Sequence, residues 1–170
     1  MTGRVNRERG ERTSLVFGLY NRIVNPVVRP VLRSPLHRLL SGGLMLLTYR
    51  GSRTGRSYTI PVQYAREGNT VIAYPGRAAG KTWWRNLAGG ADVTLRIKGR
   101  DLRGHAVAVT NDRETIADGL RIWLRRFPSS ARRLGVARDP DGRPDPQDLA
   151  RAAERIVIVR IELREPPADA

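Results

Sequence analysis

Two short segments of the chain combine cations, hydroxyls and aromatic rings in a way that suits a flat anionic ligand. The first is the turn GSRTGR, from Gly51 to Arg56, between two strand-like runs. Glycines permit positive φ angles, and the exposed N–H groups of such a turn can form an anion nest. The hydroxyls of Ser52 and Thr54 and the guanidinium groups of Arg53 and Arg56 add donors suited to phosphate. The alternative interpretation is an ordinary polar hairpin loop.

The second segment is KTWWRN, which holds one of two lysines and two of three tryptophans in the chain. On a helix, Lys81 and Arg85 are four residues apart and share a face. A lysine near a helix start adds to the positive end of the dipole, which favours an anion. One of the indoles of Trp83 and Trp84 is expected in the core. The other, beside Asn86, is suited to wall a pocket for a heteroaromatic ring.

These segments need strands to position them, and the sequence predicts six. The runs that alternate polar and apolar residues, or are rich in β-branched residues, are 44–50, 57–65, 70–74, 92–98, 101–109 and 155–163. Val93, Leu95 and Ile97 are expected to share one side of their strand. Because the connections are short, the strands should be mostly antiparallel and should close into a small barrel that removes the sheet edges. The predicted fold class is mainly β with helices (α+β), a six-stranded split antiparallel β-barrel.

The helices are predicted around this barrel. Residues 1–12 are expected to be a disordered basic tail, 13–43 an N-terminal helical segment, 44–164 the barrel domain and 165–170 a tail. A short helix is predicted from Lys81 to Ala88. A capping box at Asn111 predicts a helix up to about Phe127. Residues 128–146 read as loop, and Asp145 followed by proline can start one further helical turn.

Composition excludes several function classes. The 170 residues contain no cysteine and two histidines, which excludes disulfide and thiolate chemistry and gives no basis for a histidine-built metal site. The net charge of +15 attracts polyanions, but the arginines are spread along the chain. A nucleic-acid binder should show a clustered basic stripe or a helix-turn-helix, and neither is visible, so no specific nucleic acid is predicted.

The N-terminus is polar, without an apolar signal segment, and no run approaches the length of a membrane span. A cytoplasmic location is therefore predicted. The apolar face of the N-terminal helical segment could rest on an anionic membrane at its inner face, because five arginines surround it: Arg12, Arg22, Arg29, Arg33 and Arg38. The alternative is that this segment packs across the barrel or against a partner subunit.

The stretch LMLLTYRGSRTGRSYTIPVQYAREGNTVIAYPG, followed by KTWWRNLAGGADVTLRIKGRDLRGHA, resembles the deazaflavin-dependent nitroreductase family, a branch of the split β-barrel flavin-binding oxidoreductases. The family pattern has a Gly-Arg-Lys-Ser-Gly turn, then proline and an aliphatic residue, and later a tryptophan–aromatic–any–Asn-Leu helix. The resemblance covers roughly Leu44 to Val109, and the positions that match are Gly51, Gly55, Thr59, Pro61, Trp83, Asn86 and Leu87.

The resemblance implies that the chain binds coenzyme F-420 (8-hydroxy-5-deazaflavin), which carries a phosphate and an acidic tail. By position, Gly51 to Gly55 would hold the phosphate, with Arg53 in the place of the family's lysine. The residues implied near the ring are Pro61 and Val62, the backbone groups of Ala73, Tyr74, Pro75 and Gly76, and the pocket-closing Trp83 and Asn86. The role of Lys81 is inferred from its charge alone.

The chain also departs from the family pattern. Ser52 and Tyr58 stand where the family often has arginine, and GGAD replaces an Asn-Pro turn. The phosphate site is thus rebuilt or weakened, and Arg56 or Arg77 is a candidate to compensate.

The implied activity is hydride transfer from reduced coenzyme F-420 to a small electron-poor acceptor, such as a quinone, a nitro compound or an activated enone. The cofactor carries the chemistry, and the protein supplies orientation and electrostatics. Tyr64 and Tyr74 are the candidate proton donors, although a structural tyrosine is the alternative for each. His105 is expected to be a surface or packing residue. Family analogy implies a homodimer, since split barrels of this kind are often two-fold dimers, and a monomer is the alternative.

Two other functions stay open. One is a flavin or tetrapyrrole protein of the same barrel type that binds FMN or another ligand, with or without turnover. The other is a nucleic-acid binder driven by net charge, which salt-dependent DNA retention with site preference would support.

Overall fold

A computed structural model describes residues 43–76 and 82–164, and within these residues the strand-like runs form six β-strands. Each strand begins or ends within a few residues of its predicted limits. Their bounds are β1 (Leu44–Arg50), β2 (Ser57–Glu67), β3 (Thr70–Ala73), β4 (Ala91–Ile97), β5 (Arg100–Val109) and β6 (Ile158–Leu163).

The six strands close into a barrel in the order β1-β2-β3-β6-β5-β4, and every neighbouring pair is antiparallel. The predicted six-stranded antiparallel barrel is confirmed. The last strand completes it by pairing with β3 on one side and β5 on the other, which no local pattern in the sequence specifies.

The barrel interior is filled by alternate residues of each strand, as strand geometry requires. Val93, Leu95 and Ile97 are all buried in this core, which confirms the predicted apolar side of β4. Met45 and Leu47 of β1 belong to the same core.

A second core lies outside the barrel, where helices pack on β2, β3 and β6. It joins Ala65, Ile72 and Ile158 on the strands to helices α1 (Arg113–Arg126), α2 (Ser130–Leu134) and α3 (Pro146–Ala153). Helix α1 supplies Trp123, which is 3% exposed. One face of the barrel is therefore a helix-covered wall.

The structure corrects four predicted helix features. Helix α1 is capped by Asp112 rather than Asn111, because the Asp112 carboxylate accepts hydrogen bonds from the N–H (3.0 Å) and hydroxyl (2.6 Å) of Thr115. Residues 128–146 are not all loop, since α2 forms there; burial of Ala131 and Leu134 stabilises it. Helix α3 has eight residues rather than one turn, capped by Asp145. The helix predicted from Lys81 to Ala88 is a 3-10 helix, η1 (Trp83–Leu87).

The predicted N-terminal helical segment and both tails lie outside the described residues, apart from Gly43. Among the helices that the structure describes, none is long and apolar enough to cross a membrane.

Candidate functional site

The turn from Gly51 to Arg56 is a compact loop at the tip of the β1–β2 hairpin. The Gly51 N–H donates to the Arg56 carbonyl and the Gly55 N–H donates to the Gly51 carbonyl, both at 2.8 Å. Gly55 has a φ of 64°, a conformation that glycine adopts without strain. A Cβ on Gly51 would lie 2.8 Å from the Tyr58 ring, so this position has room only for glycine.

Asn86 of η1 holds this loop. Its Oδ1 accepts from the Ser52 backbone N–H at 3.0 Å and from the Ser52 hydroxyl at 3.1 Å. Its Nδ2 donates to the Trp83 carbonyl at 3.0 Å, which fixes the amide orientation. The two segments singled out from the sequence are therefore joined, although Ser52 and Asn86 are 34 residues apart in the chain.

The loop retains donors that its own folding does not use. The N–H groups of Gly51, Ser52 and Gly55 are bonded internally or to Asn86. Within the described residues, the backbone N–H groups of Arg53 and Thr54 and the guanidinium groups of Arg53 and Arg56 have no hydrogen-bond partner, and all these residues are exposed. Two N–H groups and two guanidinium groups at one loop tip fit a phosphate dianion.

Helix η1 carries the aromatic residues of the second segment. Leu87 is fully buried, whereas Trp83 and Trp84 are half-buried and pack against the barrel core. The Trp84 Nε1 atom is buried without a hydrogen-bond partner in the described residues, and the Arg85 guanidinium lies 5.6 Å from the Trp84 ring centre. Both indoles thus belong partly to the core, rather than one to the core and one to a pocket.

Tyr49, which the sequence analysis did not single out, connects the loop to the tryptophans. It is 5% exposed, stacks on Tyr58 with ring centres 5.7 Å apart and lies 6.5 Å from Trp83. Burial, and secondarily the neighbouring Tyr58, raises the pKa of Tyr49. The feature of the sequence that could have identified Tyr49 is an aromatic residue two positions before the turn.

Strand β2 changes partners along its length. Residues 57–63 pair with β1, whereas β3 pairs only with residues 64–67. Within the described residues, the segment 57–63 therefore has no strand on its second side. Pro61 lies in this segment, and proline is tolerated in a strand where its missing N–H has no partner to serve. Among the described residues, no strand pairs with the backbone edge beside Pro61 and Val62, and Ile60 and Val62 are half-buried against the barrel core.

Because β3 is the neighbour of β2 in the barrel, the segment that follows β3 lies next to this edge. Ala73 is fully buried in the barrel core and Pro75 is buried, so neither offers surface in this structure. Tyr74 is half-buried on the outer side, with its ring 5.6 Å from Trp123. Gly76 has a φ of 75° and is the last described residue before the gap.

The two candidate proton donors lie on different sides of the barrel wall. Tyr64 is 7% exposed and belongs to the barrel core, whereas Tyr74 packs against the helix-covered core. Burial raises the pKa of Tyr64, and the nearby Arg126 and Arg66 oppose this rise only in part. Lys81 and Arg77 lie outside the described residues.

His105 is on the exposed face of β5, as expected for a surface residue. Its Nδ1 lies 3.1 Å from Asp92 Oδ1, which also accepts from the Arg164 side chain at 2.7 Å. The sequence analysis did not anticipate this cluster, because its members are distant in the chain.

The sequence of the chain matches the model of one known protein family. Residues 22–130, more than half of the chain, match the sequence model described as F420H(2)-dependent quinone reductase. No curated protein is similar enough in sequence to match the chain.

Several solved structures are similar in fold. One is described as an F420-H2-dependent reductase (FDR-A); it is 14% identical, with 71% of this chain and 94% of that chain covered and a TM-score of 0.48. Another is described as a domain-swapped dimer, at 14% identity, 80% and 98% coverage and a TM-score of 0.47. A third is an FAD-binding protein from Mesorhizobium loti, at 16% identity, 78% and 91% coverage and a TM-score of 0.42.

Proposed function

The chain belongs to the F420H(2)-dependent quinone reductase family and is an F420-dependent oxidoreductase; from this premise we propose where it binds coenzyme F-420 and how it serves hydride transfer. The observation that carries the proposal is the hydrogen-bonded link between the loop and η1, at 3.0 and 3.1 Å from Asn86 to Ser52. This link supports the proposal because it joins the loop, which carries the donors proposed for the phosphate, to η1, which carries Trp83 and Trp84.

The loop binds the phosphate in this proposal. Gly51 and Gly55 give the backbone its path, and the unused donors are the N–H groups of Arg53 and Thr54 and the side chains of Arg53 and Arg56. Ser52 is committed to Asn86, so it acts by fixing the loop. Arginine at position 53 offers a bidentate fork, which matches phosphate oxygens.

The ring lies against the open edge of β2 in this proposal. A flavin-type pyrimidine edge alternates hydrogen-bond donors and acceptors, which the backbone groups beside Pro61 and Val62 can complement. Trp83, which is half-buried against the barrel core, closes the slot from η1. Tyr74 and Gly76 border it from the segment after β3, with Ala73 and Pro75 as the buried support of that segment. Lys81 stays a prediction, since it lies outside the described residues.

A reduced deazaflavin, when bound, supplies the hydride, so the protein's own tasks are orientation, exclusion of water and proton supply. The half-buried indoles of η1 exclude water from the slot. The hydroxyls proposed for proton supply are those of Tyr64 and Tyr74, since Tyr64 is the residue at which β2 begins to pair with β3 and Tyr74 directly follows β3. A Tyr64→Phe or Tyr74→Phe variant that turns over at the wild-type rate would remove that hydroxyl from consideration.

The acceptor we propose is a quinone, as the family name indicates, with nitro compounds and activated enones as substrates of the same electron-poor character. The test is oxidation of reduced F-420 by a water-soluble quinone, followed by the absorbance of the coenzyme. An absence of turnover together with saturable binding would instead support a cofactor carrier.

We predict that Arg53→Ala weakens coenzyme F-420 binding at least tenfold, about 1.4 kcal/mol, because a bidentate phosphate contact is lost. Titration monitored by tryptophan fluorescence measures this. Arg133→Ala is the matched control, since it removes the same charge from an exposed position on α2. Equal affinity of Arg53→Ala and wild type would overturn the phosphate assignment.

The same titration with FMN tests the alternative cofactor. The loop and open edge also suit FMN, which carries a phosphate and a flat ring. Saturable quenching by FMN alone would exclude F-420 as the cofactor of this chain.

We also propose, as predictions beyond the site, a homodimer, a cytoplasmic location and contact of the segment 13–43 with an anionic membrane. Sedimentation velocity tests the homodimer, and a monomer at micromolar concentration would contradict it. Cell fractionation tests the cytoplasmic location.

Cosedimentation with anionic and with neutral vesicles tests the membrane contact, and equal binding to both vesicle types would contradict it.

A further inference from the structure

A cleft opens on the outer face of the barrel where β1 and β4 separate. The β1–β4 ladder ends at Thr48 and Thr94, so Arg50 and Asp92 beyond it belong to strands that diverge. The space between them is about 380 Å³, which is within the usual range for small-ligand pockets. This cleft is on the opposite side of the β1–β2 hairpin from the open edge of β2.

The charge of the cleft is strongly positive. Arg50, Arg103 and Arg164 line it, and Asp92 is its one carboxylate among the residues that the structure describes. Arg164 donates to Asp92 at 2.7 Å. The side chains of Arg50 and Arg103 make no hydrogen bond or ion pair within residues 43–76 and 82–164. Two guanidinium groups in one cleft are therefore uncompensated by any described residue.

The cleft is also held in shape. The Arg164 N–H donates to the Arg103 carbonyl at 2.9 Å, and the Arg164 side chain is held on Asp92. The hydrogen bond from His105, and then that from Arg164, lowers the pKa of Asp92, so this carboxylate stays ionised and keeps Arg164 in place. The two uncompensated groups lie on opposite walls, Arg50 on β1 and Arg103 on β5.

We propose that this cleft is an anion site in its own right, which binds a small ligand carrying at least two carboxylate or phosphate groups between Arg50 and Arg103. Guanidinium forks bind such oxyanions bidentately, and the hydroxyls of Ser57 and Thr94 add donors from the same walls. The predominantly polar lining does not suit an apolar ring. The proposal needs no deazaflavin and stands apart from the ring slot.

The anion has two possible sources with the same chemistry. Arg50 directly precedes the loop and Ser57 directly follows it, so the acidic far end of a ligand held by the loop could reach the cleft. A separate diffusible acid is the other source.

Calorimetric titration with citrate at low ionic strength tests the site. We expect saturable binding to the wild type, and at least fivefold weaker binding to Arg103→Gln. Arg100→Gln is the matched control, because it removes the same charge from the β4–β5 turn end of the same strand, outside the cleft. Arg50→Gln tests the opposite wall and should weaken citrate similarly. No saturable citrate binding to the wild type, or an equal loss in Arg100→Gln, overturns the proposal.

A second titration, on protein saturated with coenzyme F-420, separates the sources. If citrate affinity is unchanged there, a diffusible acid is the occupant. If citrate binding is lost and Arg103→Gln also weakens the coenzyme, the far end of the coenzyme is the occupant. Both results support the site. Citrate binding by a protein that fails to bind F-420 would sustain the site and overturn the proposed cofactor placement.

Discussion

At the scale of single residues, Asn86 has the largest consequence for the candidate site. It uses both ends of its amide, accepting from Ser52 twice and donating to the Trp83 carbonyl. A residue of this kind fixes a loop without contacting a ligand, because it removes alternative conformations before binding. Position 86 was identified from the family resemblance as pocket-closing, and the structure shows that it holds the loop.

Asn86→Ala should lower coenzyme affinity about five- to tenfold and the free energy of unfolding by about 1 kcal/mol, the net effect of a typical hydrogen bond. Ser52→Ala is the graded comparison, since it removes the hydroxyl bond and leaves the backbone bond at 3.0 Å. We therefore expect a smaller loss of affinity in Ser52→Ala. Fluorescence titration and urea unfolding measure the two effects. A larger loss in Ser52→Ala than in Asn86→Ala would contradict the loop-holding role.

At the scale of elements, the contact between α1 and the barrel depends on a glycine. Gly119 is buried in α1, and a Cβ there would overlap Ile158 Cδ1 of β6 and lie 3.3 Å from Ile72 Cδ1 of β3. Alanine would improve helix propensity by about 1 kcal/mol, but overpacking costs about 1–3 kcal/mol. At position 119, the cost of overpacking between helix and strand should therefore exceed the gain in helix propensity.

Gly119→Ala should destabilise the protein by about 1–2 kcal/mol for this reason. Ile158→Val removes the overlapping Cδ1 and by itself costs about 0.5–1.5 kcal/mol. In the double variant the cost of the Gly119→Ala substitution should fall to zero or change sign, because the clash is gone. Urea unfolding of the wild type, both single variants and the double variant gives the coupling energy. If the two single-variant changes in the free energy of unfolding simply add in the double variant, contact with Ile158 is not what disfavours a side chain at position 119.

At the scale of the whole molecule, the barrel is closed but its β1–β2 hairpin pairs incompletely with both neighbours. β4 leaves β1 after Thr48, and β3 does not extend along β2 beyond Tyr64. The tip of the hairpin, which carries the loop, therefore stands between two openings. One opening is the strand edge proposed for the ring, and the other is the arginine cleft.

The barrel interior also contains two phenols, and it should make the protein sensitive to alkali. Burial raises the pKa of Tyr49 and of Tyr64 above the ordinary value of 10.0. Above about pH 10 the unfolded chain loses these protons before the folded protein does, so the free energy of unfolding falls as pH rises. Below that pH neither state has ionised and the effect is absent.

Tyr49→Phe should reduce this alkaline loss, since it removes one phenol and keeps the ring beside Tyr58 and Trp83. Urea unfolding of wild type and variant between about pH 8 and pH 11, which brackets the ordinary tyrosine pKa, measures it. If the free energies of unfolding of the wild type and of Tyr49→Phe change in parallel over the whole pH range, Tyr49 has the same pKa in the folded and unfolded states.

Local patterns in the sequence were sufficient to predict the strands and the first turn. Strand-like runs predicted all six strands, with alternation named for β4 and β5, and the glycines predicted the turn after β1, because strand preference and backbone freedom depend largely on the local residues. Helix boundaries were less predictable: Asp112 caps α1 because its carboxylate reaches Thr115, and α2 forms because its apolar residues find the second core. The contact of Asn86 with Ser52, the link from the loop through Tyr49 to Trp83, and the meeting of three distant arginines in one cleft could not be predicted from local patterns. Those contacts depend on which strands pair and where each ladder ends, which is set by the closure of the whole barrel.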